Sequence, residues 1–541
     1  ANTEYYILID PGYVKSTSTG REFEGITDQN RWTFTTKPEN EYIWQGSDSN
    51  WGTGANWDEG SAPSSTDNVR IKADLSQYPE ITSDVTINNI FIEPRASLTH
   101  SGGTLTINGE LRLESSVDGN ASYLPKGGSL EIGQDKVFVE QVISNTQISQ
   151  VYFIASPVSG ATKSSAGILS SDDIIFYDNP NHEYVFLNDD DLIEVGTGYQ
   201  TKCSNDITFQ GNVQQSNVTK NIHYTAYPPG GLGWNLIGNP FSASIDWLQV
   251  NLTGVANSFW MWFNEKGIYG TYNGNQQVGT VTELDQENNG NIIPSNQSFW
   301  VKTNSDSDGS IEIPTSAMVP NEKSYLKSSD SSTKFPTIKL SSNFNNNKDE
   351  LALALVPEAT DGKDKFDSEK MIAGNENFIE IFTLIDGSPI AINGMPQDQQ
   401  SKEIPVGFNA EKSGTCQLSL SLNTLPENTT VMLHDKLTDV YTDLSSGTSY
   451  SFDIQDTGRK NDRLSLILSE STATSSNTGD YSKEENCYFY TRQSEIISYI
   501  GDLNNPEYKL FDVNGKLLQN GPLNVRSRNT IQVEEKGLVI M

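Results

Sequence analysis

Over most of the chain, apolar and polar residues alternate with a period of two, as in strands that bury one face. Between residues 334 and 470 the phrases KFPTIKLSSN, FIEIFTLIDGSPIAINGMP, KEIPVGFNAEKSGTCQLSLSL and RLSLILS keep this alternation. Turn residues punctuate them roughly every ten positions, which predicts a β-sandwich. Earlier the apolar pulses shorten, to 85–92, 97–98, 105–107, 111–113 and 130–132, with Gly, Asn and Ser between them. Pulses this short suit the rungs of a β-solenoid, in which each circuit stacks its apolar side on the next. No long stretch repeats every 3.6 residues, so helix is predicted only as short turns. The fold class expected is all-β.

At 541 residues the chain needs several cores. Residues 1–37 carry strands at 5–9 and 31–35 around a polar loop, too little to close a domain. A short solenoid-like module is expected over 38–136 and a β-sandwich over 137–326. Within that sandwich GTGYQTK (196–202) and SNQSFWVKT (295–303) mirror each other, which predicts equivalent strands in two sheets. GWNLIGNPFSASIDW (233–247) breaks a buried strand at Gly238, Asn239 and Pro240 and reads as architectural. A second sandwich is expected over 333–470. A Ser/Thr/Asn-rich linker follows over 471–486, and 487–541 holds enough strands for one small terminal sandwich.

The formal charge is −34, with 70 acidic against 36 basic residues and no dense basic block. Nucleic acid is therefore excluded as a partner, because binding a polyanion needs a basic footprint. The acidity itself reads as a solvated surface. Cys203, Cys416 and Cys487 lie far apart and read as buried small hydrophobes or free thiols. The four histidines are scattered singly, so neither zinc site nor disulfide framework is signalled. No run reaches the ~18 apolar residues of a membrane helix. The chain opens in strand-like sequence with neither Met nor signal peptide, so a processed product or a fragment of something longer is expected.

An enzyme would show a nucleophile, an acid–base pair or a metal set. The sequence has no GxSxG, GxxxxGK[ST] or HExxH and singles out no carboxylate pair, so no catalytic residue and no metal ligand are assigned. No cofactor is expected either, with a loop-bound calcium as the exception to watch for. DGKDKFD (361–367) only faintly resembles a calcium loop and reads better as a solvated turn, and Asp189-Asp190-Asp191 reads as a hydrated loop or a cation site. Trp44, Trp51 and Trp57 admit two readings: a glycan platform, since sugars stack on indoles, or a cap over the open end of the solenoid core.

Several phrases resemble known families. The YYILID and WTFTT strands of residues 1–37 resemble the closing strands of a bacterial immunoglobulin-like domain. WQGSDSNWGTGANW followed by DNVRI and TLTINGEL resembles a module of secreted Bacteroidota proteins. From about residue 38 onward the order of phrases resembles the C-terminal half of large Bacteroidota surface proteins. YKLFDVNGKLL (508–518) and KGLVIM (536–541) resemble the sorting domain of type IX secretion cargo. That resemblance implies recognition by the outer-membrane translocon and its shuttle protein, and an extracellular or cell-surface location. It assigns a turn to Asp512, Asn514, Gly515 and Lys516, and the start of the last strand to Lys536 and Gly537. Asn514-Gly515 also favours a type I′ hairpin on conformational grounds. The family closes on a Lys where this chain ends Val539-Ile540-Met541, so either a few further residues follow in the natural protein or the signal is atypical. The function implied is a noncatalytic stalk, anchor and sorting region of a secreted adhesin or filament protein. The alternative is a carbohydrate-binding tail of an exported glycan-degrading enzyme.

Overall fold

The computed structural model describes residues 4–35, 40–143, 151–226, 233–264, 266–284, 289–321, 333–397, 403–426, 429–470, 487–492, 495–500, 505–511, 516–525 and 527–532. Among these the protein is a multidomain chain of strands and turns, and helix is confined to short 3₁₀ turns such as Gly54–Asn56 and Trp247–Gln249. At the N-terminal side Glu4–Tyr6 pairs antiparallel with Thr33–Thr35.

A three-faced parallel β-solenoid follows. One face stacks Glu41–Ile43, Asn68–Ile71, Asn89–Ile92, Leu111–Leu113 and Val137–Gln141 in register. A second stacks Glu80–Ile81, Ser97–His100 and Ser122–Pro125, and a third Val85–Ile87, Thr104–Ile107 and Ser129–Ile132. Strand alternation sends Val69, Ile90, Leu111 and Val137 inward, one above another and all buried. It sends Arg70, Phe91, Arg112 and Phe138 outward in one row. Four stacked arginines would repel; alternating with phenylalanine, each guanidinium covers the next ring, at 5.2 Å for Arg70 on Phe91 and 4.5 Å for Arg112 on Phe138. Glu41 and Glu114 pair with Arg70, and Glu110 and Glu140 with Arg112.

The solenoid does not end in solvent. Val137–Gln141 pairs on its far side with Ile207–Val213, now antiparallel, so the sheet runs on into the next module. On another face Ser242 Oγ donates to the Tyr123 carbonyl, Asn321 Nδ2 donates to the Ala121 carbonyl, and Leu124 joins the core of the first sandwich.

That sandwich is built from two halves related by an approximate two-fold repeat. Tyr152–Ile154 pairs with Tyr199–Thr201, Ile154 facing Tyr199; Trp234–Gly238 pairs with Ser298–Lys302, Ile237 facing Phe299. The halves then exchange their turns. Gly238 N donates to Gly196 O, while Ala155 N donates to Asn296 O. Both accepting turn residues lie in the left-handed region, Gly196 at φ +74° and Asn296 at φ +61°. GTGYQTK and SNQSFWVKT thus occupy equivalent places.

The second sandwich is one eleven-stranded sheet that runs from Val440–Asp443 at one edge to Tyr450–Ile454 at the other. Leu418 and Cys416 near one end share a core with Val406 and Leu464 near the other, so the sheet folds over on itself. Beyond residue 486, Cys487–Arg492, Glu495–Ile500 and Ser527–Gln532 form a three-stranded sheet. A hairpin of Glu507–Phe511 and Leu517–Pro522 packs against it through Ile496, Leu510, Leu523 and Ile531. The 471–486 linker lies outside the described residues.

Asn239 explains the GWNLIGNP phrase. Fully buried, its amide group donates to the carbonyls of Ala243, Ile293 and Pro294, and its oxygen accepts from Phe241 N. Replacing it removes these hydrogen bonds, and each buried backbone group then left unpaired costs about 1–3 kcal/mol. Asn239→Ala is expected to lose at least about 3 kcal/mol in urea unfolding; a loss under about 1 kcal/mol would contradict this account of the turn.

Candidate functional site

The three tryptophans lie at the N-terminal end of the solenoid. Trp44 and Trp57 meet edge to face at 5.0 Å, and Trp51 and Trp57 at 4.9 Å. Trp44 Nε1 donates to the Gln77 carbonyl and Trp57 Nε1 to the Trp51 carbonyl. The loop carrying them is tied by buried Asn56, which accepts from Ser47 N and Asp48 N and donates to Asp48 Oδ1 and Asn50 O. All three indoles are buried, and their faces are taken by one another and by the first rung. Trp51 alone of the three also borders a cleft of about 280 Å3, beside Asn50, Pro63 and Glu80.

Between the two sandwiches the segment that includes residues 361–375 acts as a strap. Trp260 Nε1 donates to the Glu369 carbonyl, Ser258 Oγ lies 2.8 Å from Ser368 Oγ, and Gln276 Nε2 donates to the Phe366 carbonyl. Lys302 pairs with Glu369 at 2.6 Å, and Lys363 completes the cluster. Asn375 donates back to Lys266 O and Gly267 O. In the DGKDKFD stretch the carboxylates serve the backbone: Asp364 accepts from Thr360 N and Phe366 N, and Asp367 from Asp364 N and Gly394 N. Burial is the largest influence on Asp367 and pushes its carboxyl up to about 7.

A groove of about 910 Å3 opens along the free edge of Tyr450–Ile454. Tyr450 and Phe452 stack on one wall, Arg463 lies 4.6 Å over the Phe452 ring, and Lys436, Leu437 and Thr438 form the rim. Arg463 is held by buried Asp435 at 2.8 Å. Burial pushes Asp435 up, but hydrogen bonds from Arg463, Tyr450 and Leu437 N outweigh it and hold the carboxyl below its usual range. Arg463 Nη1 also donates to the Asp453 carbonyl, so the open edge is partly blocked by a charge, a common protection against stray pairing. The groove combines this aromatic wall with charged residues, among them Asp453, Asp462, Lys436 and Lys460.

The Asp189–Asp191 triplet is tied into turns: Ser170 Oγ donates to Asp189, and Asn188 donates to Asp191 through both backbone and side chain. Among the described residues no three His, Cys, Asp or Glu side chains are grouped to hold a metal ion. Cys203 and Cys416 are buried, and desolvation pushes their thiols up to about 11 and about 12. Of the sorting-domain positions, Lys516 stands just before Leu517, which faces Phe511 across the terminal hairpin. Asp512, Asn514, Gly515, Lys536 and Gly537 lie outside the described residues. Sequence reasoning missed the strap and the groove, whose members are scattered over distant phrases. No helix among the described residues is long and apolar enough to cross a membrane.

A family model described as Domain of unknown function (DUF8693) matches residues 43–468, a span that takes in the solenoid and both sandwiches. No curated protein and no solved structure matches the chain.

Trp57→Ala should lower stability by about 3–5 kcal/mol, the cost of emptying a buried aromatic site, read as a shift in the denaturant midpoint; an unchanged midpoint would mean that the cap is dispensable. Asp367 gives a pH signature. Its folded pKa, about 7, lies above the ordinary carboxyl value of 3.8, so the folded state holds the extra proton between these values. Its contribution is fully present below about pH 4 and is lost as pH rises through about 7. Relative to wild type, Asp367→Asn should therefore gain stability from pH 4 to pH 7, by up to about 4 kcal/mol. A pH-independent difference would show that this carboxyl titrates normally.

Proposed function

Because the chain belongs to the family described as Domain of unknown function (DUF8693), we propose for it a part that this architecture supports: the noncatalytic stalk and anchor region of a large secreted bacterial surface protein, closed by a sorting domain for type IX export. One observation carries the reading. The solenoid is joined to the first sandwich by backbone pairing and the first sandwich to the second by buried contacts, while the strands after residue 486 have a small core of their own. A stalk needs modules that do not flex at their junctions. A sorting domain needs to fold independently of whatever precedes it.

Supporting features point the same way. The charge of −34 suits a surface exposed to solvent. The phrases at 508–518 and 536–541 match the sorting pattern residue by residue at Asp512, Asn514, Gly515, Lys516, Lys536 and Gly537. The partners are the outer-membrane translocon and its shuttle protein, docking on the terminal unit; strand addition along its sheet edges is a ready means.

The test is deletion of 487–541 from the natural protein in a type IX-competent cell. Loss of surface protein with intracellular accumulation is expected. A truncated protein that still reaches the surface would remove the case for a sorting role. Retention of an insoluble polysaccharide by the full chain, abolished by Trp51→Ala without loss of stability, would instead favour a carbohydrate-binding tail.

A further inference from the structure

In the second sandwich two ionisable side chains pair out of water, and a third is buried close enough to feel both charges. Asp349 lies on Asn347–Leu355, Lys370 follows Ser368–Glu369, and Glu380 lies on Ile379–Ile385. Lys370 Nζ stands 2.6 Å and 2.7 Å from the two Asp349 oxygens, with side-chain exposures of 2% and 1%. Asp349 Oδ2 also accepts from Ile381 N at 2.8 Å. Glu380 is equally buried and accepts from Ala373 N at 2.7 Å and Gly374 N at 3.0 Å.

A plain ion pair does not need the third group. Two carboxylates and one ammonium would leave a net buried charge, which is costly without compensation, so one carboxyl carries a proton. Glu380 fits that role: burial raises its pKa most, Lys370 lowers it and Asp349 raises it. The other lysine–carboxylate pairs of this region differ. Lys339 and Glu350 stand 3.9 Å apart, and Lys302–Glu369 is more exposed at 20% for each side chain.

We propose that Lys370 and Asp349 become joined by an isopeptide bond that forms autocatalytically within the folded sandwich, with Glu380 relaying the proton. In a dry site the ammonium passes its proton to the Asp349 carboxylate, leaving a neutral amine beside a neutral acid. Nζ attacks Cγ of Asp349; the C–N bond forms and one Cγ–O bond breaks. Protonated Glu380 gives its proton to the departing oxygen and takes the second amine proton in its place, so one water leaves. No oxidation state changes and no co-reactant is needed. The amide would tie Asn347–Leu355 to the strap that holds the first sandwich, through residues beside the Trp260–Glu369 and Ser258–Ser368 contacts. It would supply a covalent tie in a chain whose Cys203 and Cys416 are free thiols. This inference stands independently of the export reading.

Denaturing mass spectrometry of the full chain tests it. The wild-type protein is expected to weigh one water less than its sequence, and a digest should contain a branched peptide joining the Asp349 and Lys370 segments. Lys370→Arg and Glu380→Gln should each restore the full sequence mass. Wild type at full mass, or a lost water without the branched peptide, would overturn the proposal and leave an ion pair. A branched peptide persisting in Glu380→Gln would overturn the assigned proton relay. The wild-type measurement decides the main question even if a variant fails to fold.

Discussion

An open β-structure has ends and edges that expose apolar interior and unpaired backbone, and this chain is organised by the need to cover each of them. The solenoid's first rung is closed by three interlocked indoles, and its last is closed by strand pairing with the first sandwich. The first sandwich is in turn covered by a strap from the second. Each module supplies the lid for its neighbour. This accounts for a core that runs from Trp44 to Phe209 across the solenoid and into the next module.

The same constraint explains where the charges go. Outside the solenoid, the Arg–Phe row keeps identical in-register rungs from stacking like charges, with glutamates neutralising each arginine. At the junction, Lys302, Glu369 and Lys363 form one charged cluster among otherwise neutral hydrogen bonds. At the free edge of Tyr450–Ile454, Arg463 takes up a carbonyl that a stray strand would otherwise reach. In these places charge protects edges and positions the strap.

What the sequence revealed follows from the range of each interaction. Period-two alternation and short pulses are local, so the all-β class, the solenoid rungs and the second sandwich could be read from them. Asn239 was legible as architecture because Gly and Pro flank it, although the three carbonyls it serves lie partly in a distant loop. The likeness of GTGYQTK to SNQSFWVKT showed equivalence, but not that the halves trade turns through Gly196 and Asn296. Lys370, Asp349 and Glu380 were invisible for a physical reason. Each is an ordinary charged residue in its own phrase, and only the tertiary fold takes all three out of water. The tryptophans left two readings because their spacing records neither which way an indole points nor what covers it.

The solenoid and both sandwiches act as one body because each junction is a shared interior. Cys203 belongs to the solenoid-side core and Cys416 to that of the second sandwich, and both are buried. Pulsed thiol labelling across an equilibrium denaturant series, resolved by peptide mapping, reads the opening of each core separately. The account predicts that the two thiols become reactive over the same denaturant range. Labelling of one well before the other would show modules that unfold alone, and would contradict it.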